Sequence, residues 1–327
     1  MGPSVVSLRP ILSVHRCDLS TNVRDAVSAM AMFDKIIKEY GGLEELIDYV
    51  GAVKANQFCD SIYLQLCKQL NEASYLQNVQ WKLRHYQAAK KIVLSALFYT
   101  ETEYLISHKI KNICYYSMYY SLFNALSSNI LLLPQLQFGN ALKPSHADIF
   151  RYVENFIVKM GMYKPDVVDL LNQLRMMREI YSYHLPLGGS YSRANAELNV
   201  DSLFKDVTRI LPIVLQVSNM VSYLSYYAWK KKGGAVVDEY EKYSREVDEV
   251  FSLIITTDDH LGKYSMMDDA DYDRQGYFLR DVRPPSPIHW FINDKICEDL
   301  EGGWEEADGG GYDIYRVVIY LSDAIGA

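Results

Sequence analysis

Between Asn22 and Lys232, apolar side chains recur every three or four residues, in runs closed by glycine, proline or a polar capping residue. A period near 3.6 gives each segment one apolar stripe, which is buried only when amphipathic helices pack together. The first run, Asn22–Tyr40, carries Ala26, Met30, Phe33, Ile37 and Tyr40; Asn22 and Asp25 are placed to cap it, and Gly41-Gly42 stop it. Further helices are predicted over Leu43–Leu70, Val79–Glu103 and Lys109–Leu133, the last ended by Pro134. Ser145 and Asp148 are spaced to cap a fifth helix, with Ile149, Val153 and Ile157 on its apolar face. Two more are expected over Pro165–Leu185 and Asp201–Lys232. The first 234 residues read as all-helical, without an internal repeat.

After Gly234 the runs shorten. Phe251–Thr257, Tyr277–Val282, His289–Ile292 and Tyr315–Tyr320 are β-branched or aromatic, separated by Asp, Gly and Pro clusters, and read as strands. Charge changes at the same place. Residues 235–327 hold 22 Asp and Glu against 8 Lys and Arg, a balance of −14; the rest holds 19 acids and 25 bases, or +6. The predicted organisation is an N-terminal helical extension over 1–76, a helical bundle over 77–234, and a small acidic unit of mixed α/β or β structure over 235–327. The fold class is mainly α. A mildly basic body suits a polyanionic partner, and an acidic unit beside it is placed to cover that partner's path.

Several function classes drop out. No apolar run approaches the roughly 18–20 residues of a membrane-spanning helix. The N-terminus has no basic start, continuous apolar stretch or small-residue cleavage site of a secretory leader. A cytoplasmic protein with no membrane partner is expected. Cys17, Cys59, Cys67, Cys114 and Cys297 are odd in number and lack CxxC spacing, which predicts buried free thiols. Asp269-Ala270-Asp271-Tyr272-Asp273 opens like a calcium loop, but Arg274 stands where the turn needs Gly and Arg280 where the bidentate Glu belongs. Gly309–Gly311 lacks the Lys-Ser/Thr of a phosphate-binding loop. The other histidines show no ligand spacing, and His146 reads as a polar residue of a first helical turn. No metal and no cofactor is expected.

Two stretches carry the candidate chemistry. Cys114–Leu126 is densely aromatic, with Tyr115, Tyr119, Leu122 and Leu126 on one stripe and Tyr116, Tyr120 and Phe123 on the next. Such stripes pack cores, and their hydroxyls need partners when buried, so this helix is placed to floor a polar cleft. In the sixth helix Arg175, Arg178, Tyr181 and His184 follow one another every three residues. In an ideal helix Arg178 and His184 stand about 120° apart and about 9 Å along the axis, too far to touch unless the last turn distorts. Leu185-Pro186 follows directly and favours such distortion.

From Ala89 to about Leu187 the order of features resembles the HEPN superfamily, a helical domain of prokaryotic toxins, defence proteins and RNA-processing nucleases. The resemblance rests on the tyrosine helix, on the helix start Lys143-Pro144-Ser145-His146-Ala147-Asp148-Ile149, and on the final helix Leu170–His184. The family's nuclease signature is an Arg followed by His after four to six residues, and Arg178 and His184 have five between them. Glu179 departs from the Asn, Asp or His common after that Arg, and Tyr183 lies in the same neighbourhood.

The resemblance implies a HEPN-like bundle and metal-independent endoribonuclease activity of toxin or antiviral-defence type. It also implies a homodimer whose two Arg–His pairs face one cleft. His184 would take the 2′-hydroxyl proton and Arg178 hold the phosphorane charge, leaving a 2′,3′-cyclic phosphate. Arg175, Lys230 and Lys231 would hold backbone phosphates, Tyr181 or Tyr183 would stack on a base, and Glu179 and Tyr116 would support the site. RNA and a homodimeric copy are the expected partners, with a protein partner or antitoxin beside them. The alternative reading is a non-catalytic HEPN-like binding or dimerisation subunit of a larger complex.

Overall fold

The computed structural model describes residues 33–70, 74–184, 199–232, 241–247, 256–259, 262–265, 283–297, 300 and 314–326. Helix α1 occupies 33–40 and stops at Gly41, whose φ of +68° lies in the left-handed region that glycine enters without strain. The predicted helix over Leu43–Leu70 is two helices, α2 (Glu44–Val50) and α3 (Ala52–Gln69), because Gly51 turns to a φ of +85° and breaks the ladder. Ser74 and Gln77 close a reciprocal capping box on α4 (Tyr75–Ser107), which starts four residues earlier than its apolar pattern. α5 (Lys111–Leu132) ends before Pro134, and a short α6 (Phe138–Leu142) follows. Ser145 and Asp148 form the expected capping box of α7 (His146–Val153), which widens into a π-helical turn over Glu154–Val158. α8 (Asp166–Glu179) does the same over Ile180–His184. α9 (Val200–Lys232) is the longest helix beside α4.

The fold is mainly α. α5 is its axis, packed against α4 on one side and α9 on another, while α7 and α8 cover a third. Polar groups bind these contacts. Ser95 Oγ donates to Ser121 O at 2.8 Å, and Ser121 Oγ donates to Ser95 O at 2.9 Å, so α4 and α5 exchange hydrogen bonds. Arg84, 4% exposed, donates to the carbonyls of Leu131, Leu133 and Leu136 where α5 ends. Those carbonyls lack helical partners, and a buried guanidinium supplies them. Between α5 and α9, Asn129 Nδ2 donates to Val214 O at 2.9 Å and to Ser218 Oγ, and Tyr163 Oη donates to Asn129 Oδ1.

α9 corrects one sequence expectation. It is long and apolar enough to cross a membrane by length and composition, although Ser, Asn and Gln interrupt its apolar run. In this fold 83% of its most apolar window is buried inside the protein, as befits a core helix.

The acidic segment differs more. His289–Ile292 is not a strand: Pro287 precedes α11 (Ile288–Phe291), which continues as a π-helical turn over Ile292–Ile296. Tyr315–Tyr320 opens α12 (Tyr315–Ile325), with Val317, Leu321, Ala324 and Ile325 buried. Both bury residues four apart, a period that four- and six-residue windows are too short to reveal. Residues 241–247 form α10. Thr256–Asp259 (β1) pairs antiparallel with Gly262–Ser265 (β2), so Thr256 and Thr257, the described part of the predicted Phe251–Thr257 strand, are extended. Residues 22–32, Phe251–Ile255, Tyr277–Val282, Cys17, the calcium-like loop, Gly309–Gly311 and Leu185-Pro186 lie outside the described residues. Cys59, Cys67 and Cys114 are buried and Cys297 is half-buried, none of the four in a disulfide.

α11 and α12 dock on α4 and α9 rather than standing apart. Ile288 N donates to Ser222 Oγ at 3.0 Å, His289 N to Asn219 Oδ1 at 3.3 Å, and Gln216 Nε2 to Ala324 O at 3.3 Å. His85, buried in α4, holds the same segment. Its Nδ1–H donates to Ser286 O at 2.9 Å, which leaves Nε2 to accept from Ser225 Oγ at 3.1 Å. Both ring nitrogens are used by the neutral form, and burial, with a smaller push from Arg84, lowers the pKa to about 4.

Two outcomes follow from this packing. Unfolded, His85 binds a proton below about pH 6.5, while the folded protein resists it until about pH 4. The unfolded state therefore binds more protons in that window, and acidification from pH 6.5 to 4 lowers stability by up to about 3 kcal/mol through this one group. Urea midpoints measured across the window should show the gap between parent and His85→Gln narrowing towards low pH; parallel curves would refute the assignment. Asn129→Leu keeps the volume but removes the bonds to Val214 O and Ser218 Oγ and leaves the buried Tyr163 hydroxyl without its acceptor, and should cost about 1–3 kcal/mol in the same assay.

Candidate functional site

α8 carries Asp166 and Asp169 in its first turn and Arg178 in its last, each charge matched to the helix dipole. Val167, Leu170, Leu171, Leu174 and Met177 are buried, which fixes the rotation of α8 against α5. Arg178 consequently lies over the tyrosines of α5. Its guanidinium carbon is 4.8 Å from the Tyr119 ring centre and 5.8 Å from that of Tyr120. Nη1 donates to Tyr120 Oη at 3.2 Å, and Nη2 lies 3.5 Å from Glu179 Oε1. The side chain is only 14% exposed, and its buried Nε has no hydrogen-bond partner among the described residues. A cation largely removed from water and resting on aromatic faces is held in place and primed for an anion. Glu179 is exposed, so its ion pair with Arg178 is weak.

On the same tyrosines stands a histidine from α7. His146 Nδ1 is 2.7 Å from Tyr119 Oη, and its ring stacks on Phe123 with centres 4.5 Å apart. Partial burial lowers the His146 pKa, the charges of Arg178 and Arg175 lower it further, and Glu179 opposes them. His146 is therefore neutral at pH 7. Burial pushes the Tyr119 phenol up to about 12, against the pull of Arg178, so it stays protonated. Arg175, half-buried, lies 5.0 Å above the Phe150 ring.

Beside Arg178 opens a cleft of about 390 Å3, lined by Asn112, Ile113, Tyr116, Tyr181 and Ser182 as well. Tyr116 is 42% exposed, and Tyr181 stacks on Tyr115 with ring centres 4.6 Å apart. Arg175, Arg178, Glu179, Tyr116 and Tyr181 are thus gathered at one end of α8. Tyr183, 74% exposed, and His184, also exposed, follow in the π-helical turn. The last turn is indeed distorted, yet among the described residues no hydrogen bond or ion pair joins His184 to Arg178. Lys230 and Lys231 lie elsewhere. Lys230 Nζ is 5.3 Å from the Tyr226 ring centre, and Lys231 Nζ is 5.7 Å from that of Tyr63. Asp201, at the opposite end of α9, pairs with Lys111 next to the cleft residue Asn112. At 1.5 Å per residue, Lys230 is therefore about 40 Å from the cleft.

His146, Tyr119 and Tyr120 are the site residues that the sequence did not bring forward. Tyr119 and Tyr120 were visible as stripes of the tyrosine helix, but which stripe meets α8 depends on packing. His146 is 27 positions from Tyr119 and on another helix, so no spacing rule connects them. Among the described residues no group of three His, Cys, Asp or Glu is placed to hold a metal ion. Compared with known proteins, the chain matches no protein family, no curated protein and no solved structure.

Proposed function

We propose that the protein is a metal-independent endoribonuclease of the HEPN type, serving as a toxin or antiviral effector. In this reading Arg178 holds the scissile phosphate and His184 reaches it from a second copy of the chain. The observation that carries it is the cleft beside Arg178: a fixed cation borders a space with two tyrosine faces for bases and with Asn112 and Ser182 for hydrogen bonds. The guanidinium fork suits phosphate oxygens, and an exposed histidine suits proton transfer at neutral pH. Placing His184 in a second copy also accounts for its lack of contact with Arg178 in one chain. Glu179 is then a competitor that incoming phosphate displaces.

The bonds of Arg178 to Tyr120 and Glu179 favour a second reading, in which the guanidinium is structural. The chain would then be a non-catalytic HEPN-like subunit that docks a protein partner or antitoxin.

Incubation with single-stranded RNA in EDTA separates the two. The parent should release 2′,3′-cyclic phosphate ends, and Arg178→Ala should lose at least about 100-fold in rate. Glu179→Gln should retain the parent rate or exceed it. Mixing Arg178→Ala with His184→Ala should restore about a quarter of the parent rate, because half the dimers are mixed and each has one intact composite site. Intact RNA with the parent, or parent-like cleavage by Arg178→Ala, sinks the nuclease reading.

A further inference from the structure

Arg178 shares its tyrosine platform with a histidine of its own chain. We propose that His146, oriented by Tyr119, is a second proton-transfer group of the Arg178 site and, with Arg178, binds the phosphate of an RNA backbone. The inference rests on the ribonuclease reading and deepens it.

Three observations carry it. Tyr119 Oη bonds His146 Nδ1 at 2.7 Å while the Arg178 guanidinium lies 4.8 Å above the Tyr119 ring, so one side chain locates both groups. Tyr120 repeats the arrangement, bonding Arg178 through its hydroxyl and meeting the His146 ring edge-on with centres 6.5 Å apart. His146 is also exposed, so a large anion can reach it. The groups facing it are Tyr119 and Tyr120 from α5, and Arg175, Arg178 and Glu179 from α8.

The protonation states fit the task. With Nδ1–H donating to Tyr119 Oη, the neutral ring presents an Nε2 lone pair. The protonated ring keeps the same bond, so Tyr119 supports both states without moving. Strand cleavage by transesterification needs two proton transfers. The 2′-oxygen bonds to phosphorus and the bond from phosphorus to the 5′-oxygen breaks. His146 Nε2 takes the 2′-hydroxyl proton, and the departing 5′-oxygen receives one from the imidazolium of the second copy's histidine at position 184. One histidine ends protonated and the other neutral, and exchange with water resets them. Arg178 neutralises the phosphate oxygens throughout.

The test uses the full chain. His146→Ala should lower kcat/KM on single-stranded RNA at least about 100-fold, and Tyr119→Phe should lower it less. The parent's activity should fall as pH drops through the depressed His146 pKa, and Tyr119→Phe should shift that limb. In parallel, ring signals of labelled histidines are titrated with inorganic phosphate. The His146 signal, identified by its loss in His146→Ala, should move and its pKa should rise, and Arg178→Ala should abolish both effects. A folded His146→Ala within about threefold of the parent overturns the inference and leaves the ribonuclease reading standing. If the parent cleaves no RNA, that reading fails and the phosphate arm decides: an Arg178-dependent shift of His146 supports the anion site, and no shift overturns it.

Discussion

The antiparallel contact of α4 with α5 is what the other elements are arranged around. Ser95 and Ser121 exchange hydrogen bonds across it, which is possible only where two backbones approach closely and no bulky side chain separates them. At its far end Arg84 gathers three carbonyls around the end of α5 and lies 4.3 Å from the Trp81 ring centre. A fully buried guanidinium without such partners would be strongly destabilising, so the register of the two helices and the path of the chain past Pro134 are fixed together. Burial lowers the Arg84 pKa to about 9, and the group stays charged at neutral pH.

Fixing α5 in this way decides what its tyrosines do. One side is committed to α4 and α9 through serine and asparagine contacts, and the other receives α7 and α8. Tyr119 and Tyr120 then lie between a histidine and an arginine that are 32 residues apart in the chain. Their hydroxyls are satisfied by those two groups, which removes the penalty of leaving polar atoms buried and unpaired. Stability and candidate chemistry therefore share the same atoms.

The acidic segment contributes to the core as well as to the surface. Ile288, Ile292, Val317, Leu321 and Ile325 are buried, and polar side chains of α9 hydrogen-bond the backbone of both docked pieces. Among its described residues Glu241, Glu246 and Asp323 are exposed, while the apolar residues complete the packing over α4 and α9. Arg178 faces α5 instead, so the described docked parts do not cover the candidate cleft. Removing 235–327 would expose these residues, and a truncated chain would report on folding before it reported on RNA.

The sequence by itself determined the helices, because each carries its own periodic stripe and its own stops: the Ser145 and Asp148 box, Pro134 and Gly41 act through atoms a few residues away. It also marked Arg178 and the tyrosine helix. It misassigned His289–Ile292 and Tyr315–Tyr320, whose short apolar runs suit either period until a surface selects one. It grouped Arg178 with Lys230 and Lys231, which α9 carries to its far end, and passed over His146. Tertiary structure alone decided which histidine stands beside the arginine, since that proximity arises from three helices packing at set rotations. Local periodicity encodes which face of a helix is buried, but not which neighbour will bury it.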